Sequence, residues 1–386
     1  MNDTVNEEGR LPVPLKVFGV LSIVGGLASL GDLAPVIFSF VQGVGGGTYR
    51  TASIVIFAGL MAVLTSSAVL FVFLGVRLLR NRRAHAAQAA NTLAALTVLA
   101  VIGTLMLFGL SAHHIGYLVQ IVILVAVTSY LDPQLHEERR LQRKLKKMDK
   151  EQRSEERRLA RERKPKKGFI TLNFFNLFWI FVVCCVLGLI IEVLFHFALY
   201  HEYQDRAGML FGPFSPIYGF GALLMTIALN RFHDKPVWVI FLVSAVIGGA
   251  FEYFTSWIME FSFGIRAWDY SGTFLSIDGR TNFVFMVMWG VLGVAWIRLL
   301  LPQLLKLINL IPWNWRYGVT AVCAALMLLD GVMTIQSIDC WYGRMAGKAP
   351  DTPIERFYAE HFDNDYMQNR FQTMTMDVDD ATRIGR

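Results

Sequence analysis

Nine long apolar stretches limit the possible folds of this chain more than any other feature of its sequence. A helix needs roughly 20 mostly apolar residues to cross about 30 Å of hydrocarbon. The stretches lie near residues 14–42, 52–79, 91–111, 114–131, 174–199, 215–232, 236–259, 283–304 and 317–338. The fourth and sixth are the shortest. We therefore predict an all-α, polytopic integral membrane protein with about nine transmembrane helices.

The composition supports this class and excludes several others. Of the 386 residues, 54% are hydrophobic and only 17% are charged, whereas about 25% are charged in an average soluble domain. A disordered, collagen-like or disulfide-stapled secreted chain would have a different composition. Residues 1–13 are polar, and the first apolar stretch is too long for the core of a signal peptide. We therefore expect no cleaved signal.

The net charge of +6 is concentrated in one segment. Residues 132–168 carry 15 Lys or Arg and 8 Asp or Glu. The positive-inside rule places this segment, and with it the N-terminus, in the cytoplasm. We expect four parts: a four-helix transmembrane unit at 1–131, a basic cytoplasmic helical linker at 132–168, a second transmembrane unit at 169–338, and an extracytoplasmic tail at 339–386.

Four acidic residues inside the predicted helices are functional candidates, because ionisable groups are costly in hydrocarbon. They are Asp32, Glu192, Glu252 and Asp330. The first three lie about 16–18 residues from the predicted cytoplasmic end of their helices and Asp330 about 13 residues, or roughly 20–27 Å at 1.5 Å per residue. We therefore expect all four in the outer half of the bilayer.

Two segments near these acids predict a polar, outward-facing pocket. Glu252, Ser256 and Glu260 recur every four residues in the seventh helix and therefore share a face. The loop behind them contains a set of charged and aromatic candidates: Arg266, Trp268, Asp269, Tyr270, Asp278, Gly279 and Arg280. The Gly- and Pro-rich segment before the sixth helix supplies a second set, which we do not expect to form ordinary helix: Gly212, Pro213, Pro216, Tyr218 and Gly219.

Three roles are open to these side chains. Glu192 or Glu252 could pair with Arg266 or Arg280 and simply hold the loops against the helices. The same groups could instead form the floor of a ligand or transport pocket, with the two loops as its wall and lid. They could also be catalytic carboxylates, and the residue types alone do not separate these roles.

Several motifs are absent from the sequence. It contains neither the G-x-x-x-x-G-K-[ST] signature of a P-loop nor the G-x-S-x-G nucleophile elbow. Glu192 and His196 are neighbours on one helix, but no H-E-x-x-H zinc motif is present. We assign no catalytic residue, no metal site and no cofactor.

Three ordered motifs resemble a known family. They are the run Gly212–Gly221, the run Glu252–Trp257, and Trp268–Ser271 followed by Gly279-Arg280. Together they are similar to the ABC-transporter permease family called CmpB-like or type IV, over roughly residues 174–300 with a weaker match in the tail. The resemblance implies an integral membrane component that works with a separate ATPase subunit.

The function predicted from these observations is that of a transport permease subunit without its own ATPase domain. Glu192, Glu252 and Asp330 would bind a cation, a proton or a cationic group, and Arg266 and Arg280 would gate the pocket or pair with them. A membrane enzyme acting on lipid headgroups is one alternative, and a non-catalytic scaffold or sensor is another. We expect a multi-pass protein of the cell membrane, with membrane lipids as partners and no bound nucleic acid.

Overall fold

The structure, a computed structural model, describes residues 11–45, 49–131, 170, 172, 174–311 and 313–384. Within these residues the chain is mostly helical, with two short strands. In this part of the chain, seven helices are long and apolar enough to cross a membrane: Val13–Gly45, Thr51–Leu79, His85–Phe108, Phe174–Tyr200, Val237–Phe263, Phe283–Ile308 and Gly318–Met345. Two apolar helices are shorter, His113–Thr128 and Pro216–Leu229. The all-α polytopic class is confirmed, whereas the count of nine spans and the cytoplasmic N-terminus stay predictions.

Two predicted features lie outside what the structure describes. The basic linker at 132–168 falls outside the described residues. The backbone of Asp32 is helical, but its side chain is not described. The described residues form two compact units. The first unit contains the residues before the linker together with those from Thr382 onward. The second unit ends at Ala381.

In the described residues of the first unit, four helices pack each on the next. Their bounds are α1 (Val13–Gly45), α2 (Thr51–Leu79), α3 (Arg83–Phe108) and α4 (His113–Leu131). Gly26 of α1 lies so close to α2 that an added Cβ would be 2.7 Å from the carbonyl oxygen of Ala68. Small residues at helix contacts permit this close approach of backbones in lipid. The end of the chain joins this unit, where the backbone N–H of Ile384 donates to the carbonyl of Leu107.

In the described residues of the second unit, six helices come first. Their bounds are α5 (Phe174–Tyr200), α6 (Pro216–Leu229), α7 (Val237–Phe263), α8 (Phe283–Ala295), α9 (Leu301–Ile308) and α10 (Trp313–Met345). A single π-helical turn, Trp296–Leu300, joins α8 to α9. A core cluster that includes Ile180, Leu229 and Ile240 fills one end of this unit. The polar candidate residues fall at the opposite ends of the same helices.

Two close helix contacts place aromatic side chains near the acids of the second unit. A Cβ on Gly188 of α5 would lie 2.1 Å from Cγ of Tyr218, and one on Gly248 of α7 would lie 2.2 Å from Cγ of Trp289. Glycine leaves room for a ring directly against the helix backbone. Gly188 and Gly248 each stand four residues before an acid, Glu192 or Glu252, so each ring lies one helical turn from a carboxylate.

The segment after α10 folds back onto the second unit. It contains α11 (Pro353–His361), α12 (Asn364–Arg370) and β2 (Thr375–Met376). The α11 helix starts with a capping box between Thr352 and Glu355. Strand β2 pairs in antiparallel register with β1 (Ile265–Arg266), which directly follows α7. Part of the segment predicted as an extracytoplasmic tail therefore pairs with the chain directly after α7, while its side of the membrane stays a prediction.

Gly264 is the residue that lets the chain after α7 meet this returning segment. Its backbone is left-handed, with φ at +62°, and an added Cβ would lie 1.8 Å from the carbonyl oxygen of Asp377. The backbone N–H of Asp377 donates to the carbonyl of Gly264 at 2.7 Å. Left-handed backbone costs an L-residue about 1–2 kcal/mol, and here the clash is with backbone that cannot rotate away.

We therefore expect Gly264→Ala to separate β2 from β1 while α7 stays helical. Limited proteolysis of the purified protein should show faster cleavage between residues 371 and 381 in the variant. Gly272→Ala is the matched control, since Gly272 also has a positive φ of +79° but has open space around it. Equal cleavage rates in the two variants would show that the close approach at Gly264 does not hold the segment.

Candidate functional site

The polar candidates of the second unit gather at one end of the helix bundle. Glu192 lies late in α5, Glu252 and Glu260 lie late in α7, and Asp330 lies in the second half of α10. The loop 264–282 joins α7 to α8 at this same end. Residues far apart in the sequence therefore meet here, as in the hydrogen bond between the backbone of Phe211 and the side chain of Asp330.

A buried ion pair between Glu260 and Arg280 forms the centre of the loop's attachment to α7. Arg280 Nη1 donates to Glu260 Oε2 at 2.7 Å, and both side chains are about a tenth exposed. Arg280 Nε also donates to Asp278 Oδ2 at 3.0 Å. Burial disfavours the charge on Arg280, but the hydrogen bonds to Asp278 and Glu260 outweigh it and raise its pKa. The guanidinium is therefore a permanent charge that ties the loop to the helix.

Arg266 forms a second, more exposed set of ion pairs at the rim. Its guanidinium lies 3.4 Å from Glu260 Oε1 and 3.7 Å from both Asp269 Oδ2 and Asp380 Oδ2. Asp380 comes from the returning segment after β2. The hydroxyl and backbone N–H of Ser271 donate to Asp269 and, with Arg266, lower its pKa. This group is therefore ionised at neutral pH.

Glu252 has a different environment from Glu260. It is only 6% exposed, and both of its carboxylate oxygens accept hydrogen bonds from hydroxyl groups. Tyr270 Oη donates to Oε1 at 2.9 Å, and Thr281 Oγ1 donates to Oε2 at 2.9 Å. Trp289 is a third donor. Among the described residues, none forms a salt bridge with Glu252.

The Tyr270 hydroxyl is held beside Glu252 by packing as well as by its hydrogen bond. The ring stacks on Phe285, with centroids 4.4 Å apart. Burial first, and the negative charge of Glu252 second, raise the pKa of Tyr270. This phenol therefore stays protonated at neutral pH and acts as a donor to the carboxylate.

Glu192 and Asp330 occupy separate positions around this centre. Arg206, from the loop between α5 and α6, donates to Glu192 Oε1 at 3.0 Å, and Tyr218 lies within hydrogen-bonding range of the same carboxylate. Asp330 Oδ1 accepts from the backbone N–H of Phe211 at 3.1 Å and from Thr334 at 3.3 Å. Asp330 thus holds the loop before α6 in place.

A cleft of about 430 Å³ opens between the end of α7 and the loop. Its lining residues are predominantly polar: Ser256, Glu260, Arg266, Trp268, Asp269, Ser271, Gly272, Ser276, Asp278, Gly279 and Arg280. Trp268 is held by its indole N–H, which donates to the carbonyl of Arg280 at 2.9 Å. The cleft is therefore a preformed polar recess large enough for a small ligand.

One known family matches part of this chain. Residues 179–335 match the family described as Putative ABC-transporter type IV. No curated protein and no solved structure matches the chain. The type IV match together with the membrane helices supports a transport permease and a multi-pass membrane protein.

The residues matched by the type IV family include most of the site. Glu192, Glu252, Glu260, Arg280 and Asp330 all lie within residues 179–335. The helices α1 to α4 lie outside the match, as does the segment after α10 that pairs with β1. In the sequence, helices therefore precede the residues matched by the type IV family, and a further folded segment follows them.

Part of the predicted pocket loop is helical. Gly212 and Pro213 lie in a loop as expected, but Pro216, Tyr218 and Gly219 belong to the first turns of α6. Proline is favoured in the first turn of a helix because the N–H it lacks has no partner there. The expectation that this whole segment avoids helix was wrong for these three residues.

The pairing of acids and arginines also differs from the one that the sequence suggested. In the described part of the chain, Arg266 and Arg280 bind Glu260 and aspartates, whereas neither binds Glu192 or Glu252. The partner of Glu192 is Arg206. Arg206 is the only arginine between α5 and α6, a signal that could have identified it.

Proposed function

We propose that this chain is the membrane-embedded permease subunit of a transporter in the cell membrane and that a separate ATPase subunit drives it. The type IV match and the membrane helices support a permease. The printed sequence contains no P-loop signature, so ATP hydrolysis would come from a partner. The basic linker at 132–168 is a candidate coupling surface, because its charge predicts a cytoplasmic position.

We further propose that the site at Glu252 binds the positively charged part of the substrate or a coupling cation, including a proton. The observation that carries this proposal is a buried carboxylate in a membrane helix whose described partners are neutral donors. An uncompensated charge in a low-dielectric interior is costly, and a bound cation offsets that cost. Glu260 is unsuited to the same role because Arg280 and Arg266 already neutralise it.

The two arginines of this loop position the binding group and do not bind the ligand themselves. Arg280 and Arg266 fix the loop on α7, and the loop in turn supplies Tyr270 and Thr281, the two hydroxyls that hold Glu252. A ligand-responsive movement of the loop would therefore alter the environment of Glu252 directly. In this arrangement the ion pairs line the cleft, whereas Glu252, the proposed binding group, lies behind this lining, one helical turn from Ser256.

The permease proposal predicts a stoichiometric ATPase partner. Affinity purification from native membranes in mild detergent, followed by quantitative proteomics, should recover one ATPase at close to equal molar amount. The matched control is the Glu252→Gln chain, which should recover the same ATPase because the change is internal to the second unit. Recovery of the chain with lipid but without any ATPase would contradict an ATP-driven mechanism.

A further inference from the structure

The loop between α7 and α8 exposes three large apolar side chains at its tip. Phe274 is 68% exposed, Leu275 is 62% exposed and Ile277 is 51% exposed. Exposed apolar groups that are contiguous, rather than scattered singly, indicate a contact surface. We refer to residues 274–277 as the apolar tip.

The apolar tip is held in place by the backbone of its own loop. The N–H of Tyr270 donates to the carbonyl of Gly279 at 2.7 Å, and the N–H of Ile277 donates to the carbonyl of Thr281 at 2.8 Å. Leu275 has a left-handed backbone with φ at +48°. Such a conformation is costly for leucine and persists only where the surrounding structure enforces it. The outward position of these side chains is therefore built into the loop.

The loop exposes its large apolar side chains although part of its polar surface is turned inward. Two of its polar side chains contact α7, where Tyr270 meets Glu252 and Arg280 meets Glu260, while others, including Asp278, are exposed. The three large apolar side chains of the tip are exposed beside them. In water, the exposure of these apolar side chains would be unfavourable.

The apolar tip continues a surface that faces hydrocarbon. The ring of Phe274 packs edge-on against Phe283, with centroids 5.8 Å apart. Phe283 and Val284 begin the spanning helix α8 and are about half exposed. A spanning helix turns such side chains toward lipid. The same apolar surface therefore runs from the side of α8 onto the tip without interruption.

We infer that the apolar tip inserts into the interfacial layer of the lipid bilayer. Aromatic and aliphatic side chains favour this layer, with their polar neighbours at headgroup level. Ser271 and Ser276, which belong to the same loop, line the polar cleft. The mouth of the cleft thus lies beside the lipid headgroups, and a ligand reaches it along the membrane surface.

A spin label at the tip tests this inference. Phe274→Cys would be labelled with a nitroxide in the full chain, reconstituted into phosphatidylcholine and phosphatidylglycerol vesicles. Electron paramagnetic resonance would compare the label's collisions with oxygen, which concentrates in lipid, and with a water-soluble nickel chelate. Val246→Cys, on the exposed side of α7, is the lipid-facing control, and Lys348→Cys, at an exposed loop position, is the water-facing control. The unsubstituted chain gives the background from the four native cysteines.

The inference requires the Phe274→Cys label to behave like the Val246→Cys label, with oxygen contact exceeding nickel contact. A label that behaves like the Lys348→Cys label would overturn it. A label shielded from both reagents would also overturn it, since a protein and not lipid would then cover the tip. Leu275→Cys provides a second position should the first variant fail to fold.

Discussion

Glu252→Gln should leave the protein folded and abolish its stabilisation by cations. Two of the three described donors to Glu252, Tyr270 and Thr281, are hydroxyl groups, and the third is Trp289. A hydroxyl can accept as well as donate a hydrogen bond, so the glutamine amide can keep both contacts. The substitution removes the negative charge and little else. Loss of cation binding without loss of folding is therefore the expected result.

Thermal unfolding in detergent measures this effect. The wild-type chain would be heated with sodium, potassium, magnesium, ammonium and a polyamine in turn, at constant ionic strength. A cation that binds the folded state stabilises it by about 2.7 kcal/mol at 100 times its dissociation constant. Titration of one effective cation should raise the unfolding temperature of the wild type and leave that of Glu252→Gln unchanged. An equal response in both chains would place the cation elsewhere.

Arg280→Met should cause a large loss of stability. The substitution leaves Glu260 buried without its closest partner, and breaking one side of a buried ion pair costs about 3–5 kcal/mol. It also removes the link between Arg280 and Asp278 at the base of the loop. We expect a marked fall in the unfolding temperature and in the yield of folded protein.

Arg266→Met is the matched control for this prediction. Arg266 contacts the same Glu260, but its side chain is 46% exposed and its charge contacts lie at 3.4–3.7 Å. Exposed pairs contribute about 0–1 kcal/mol. A similar unfolding temperature for Arg280→Met and Arg266→Met would mean that the buried ion pair of Arg280 stabilises the protein no more than the exposed pairs of Arg266. Glu260→Gln should also lower the unfolding temperature, because its amide oxygen can accept from one arginine only and the negative charge beside the buried Arg280 is lost.

The class of the fold and the positions of the helices could be predicted from the sequence because hydrocarbon thickness fixes the length of a span. The shared face of Glu252, Ser256 and Glu260 was also accessible, because helical spacing alone determines it. Arg280 indeed contacts both Ser256 and Glu260 on that face. Local periodicity therefore located one side of the cleft.

The partners across the cleft could not be predicted in the same way. Whether Arg280 reaches Glu252 or Glu260 depends on the path of the loop between α7 and α8, and two positive-φ residues near its end, Asp278 and Gly279, set that path. Thr281 lacks any sequence signal for its contact with Glu252, since threonine is common in loops. Such contacts follow from tertiary packing that no spacing rule encodes.

The pairing of β1 with β2 also determines which contacts can form first while the protein is being synthesised. Ile265 and Arg266 leave the ribosome long before their partners Met376 and Thr375. The helices of the second unit can enter the membrane during synthesis, but Arg266 meets Asp380 only after the ribosome has added the intervening stretch of chain. Each new molecule thus spends an interval in the bilayer with an unfinished cleft, until the segment that contains β2 has been made.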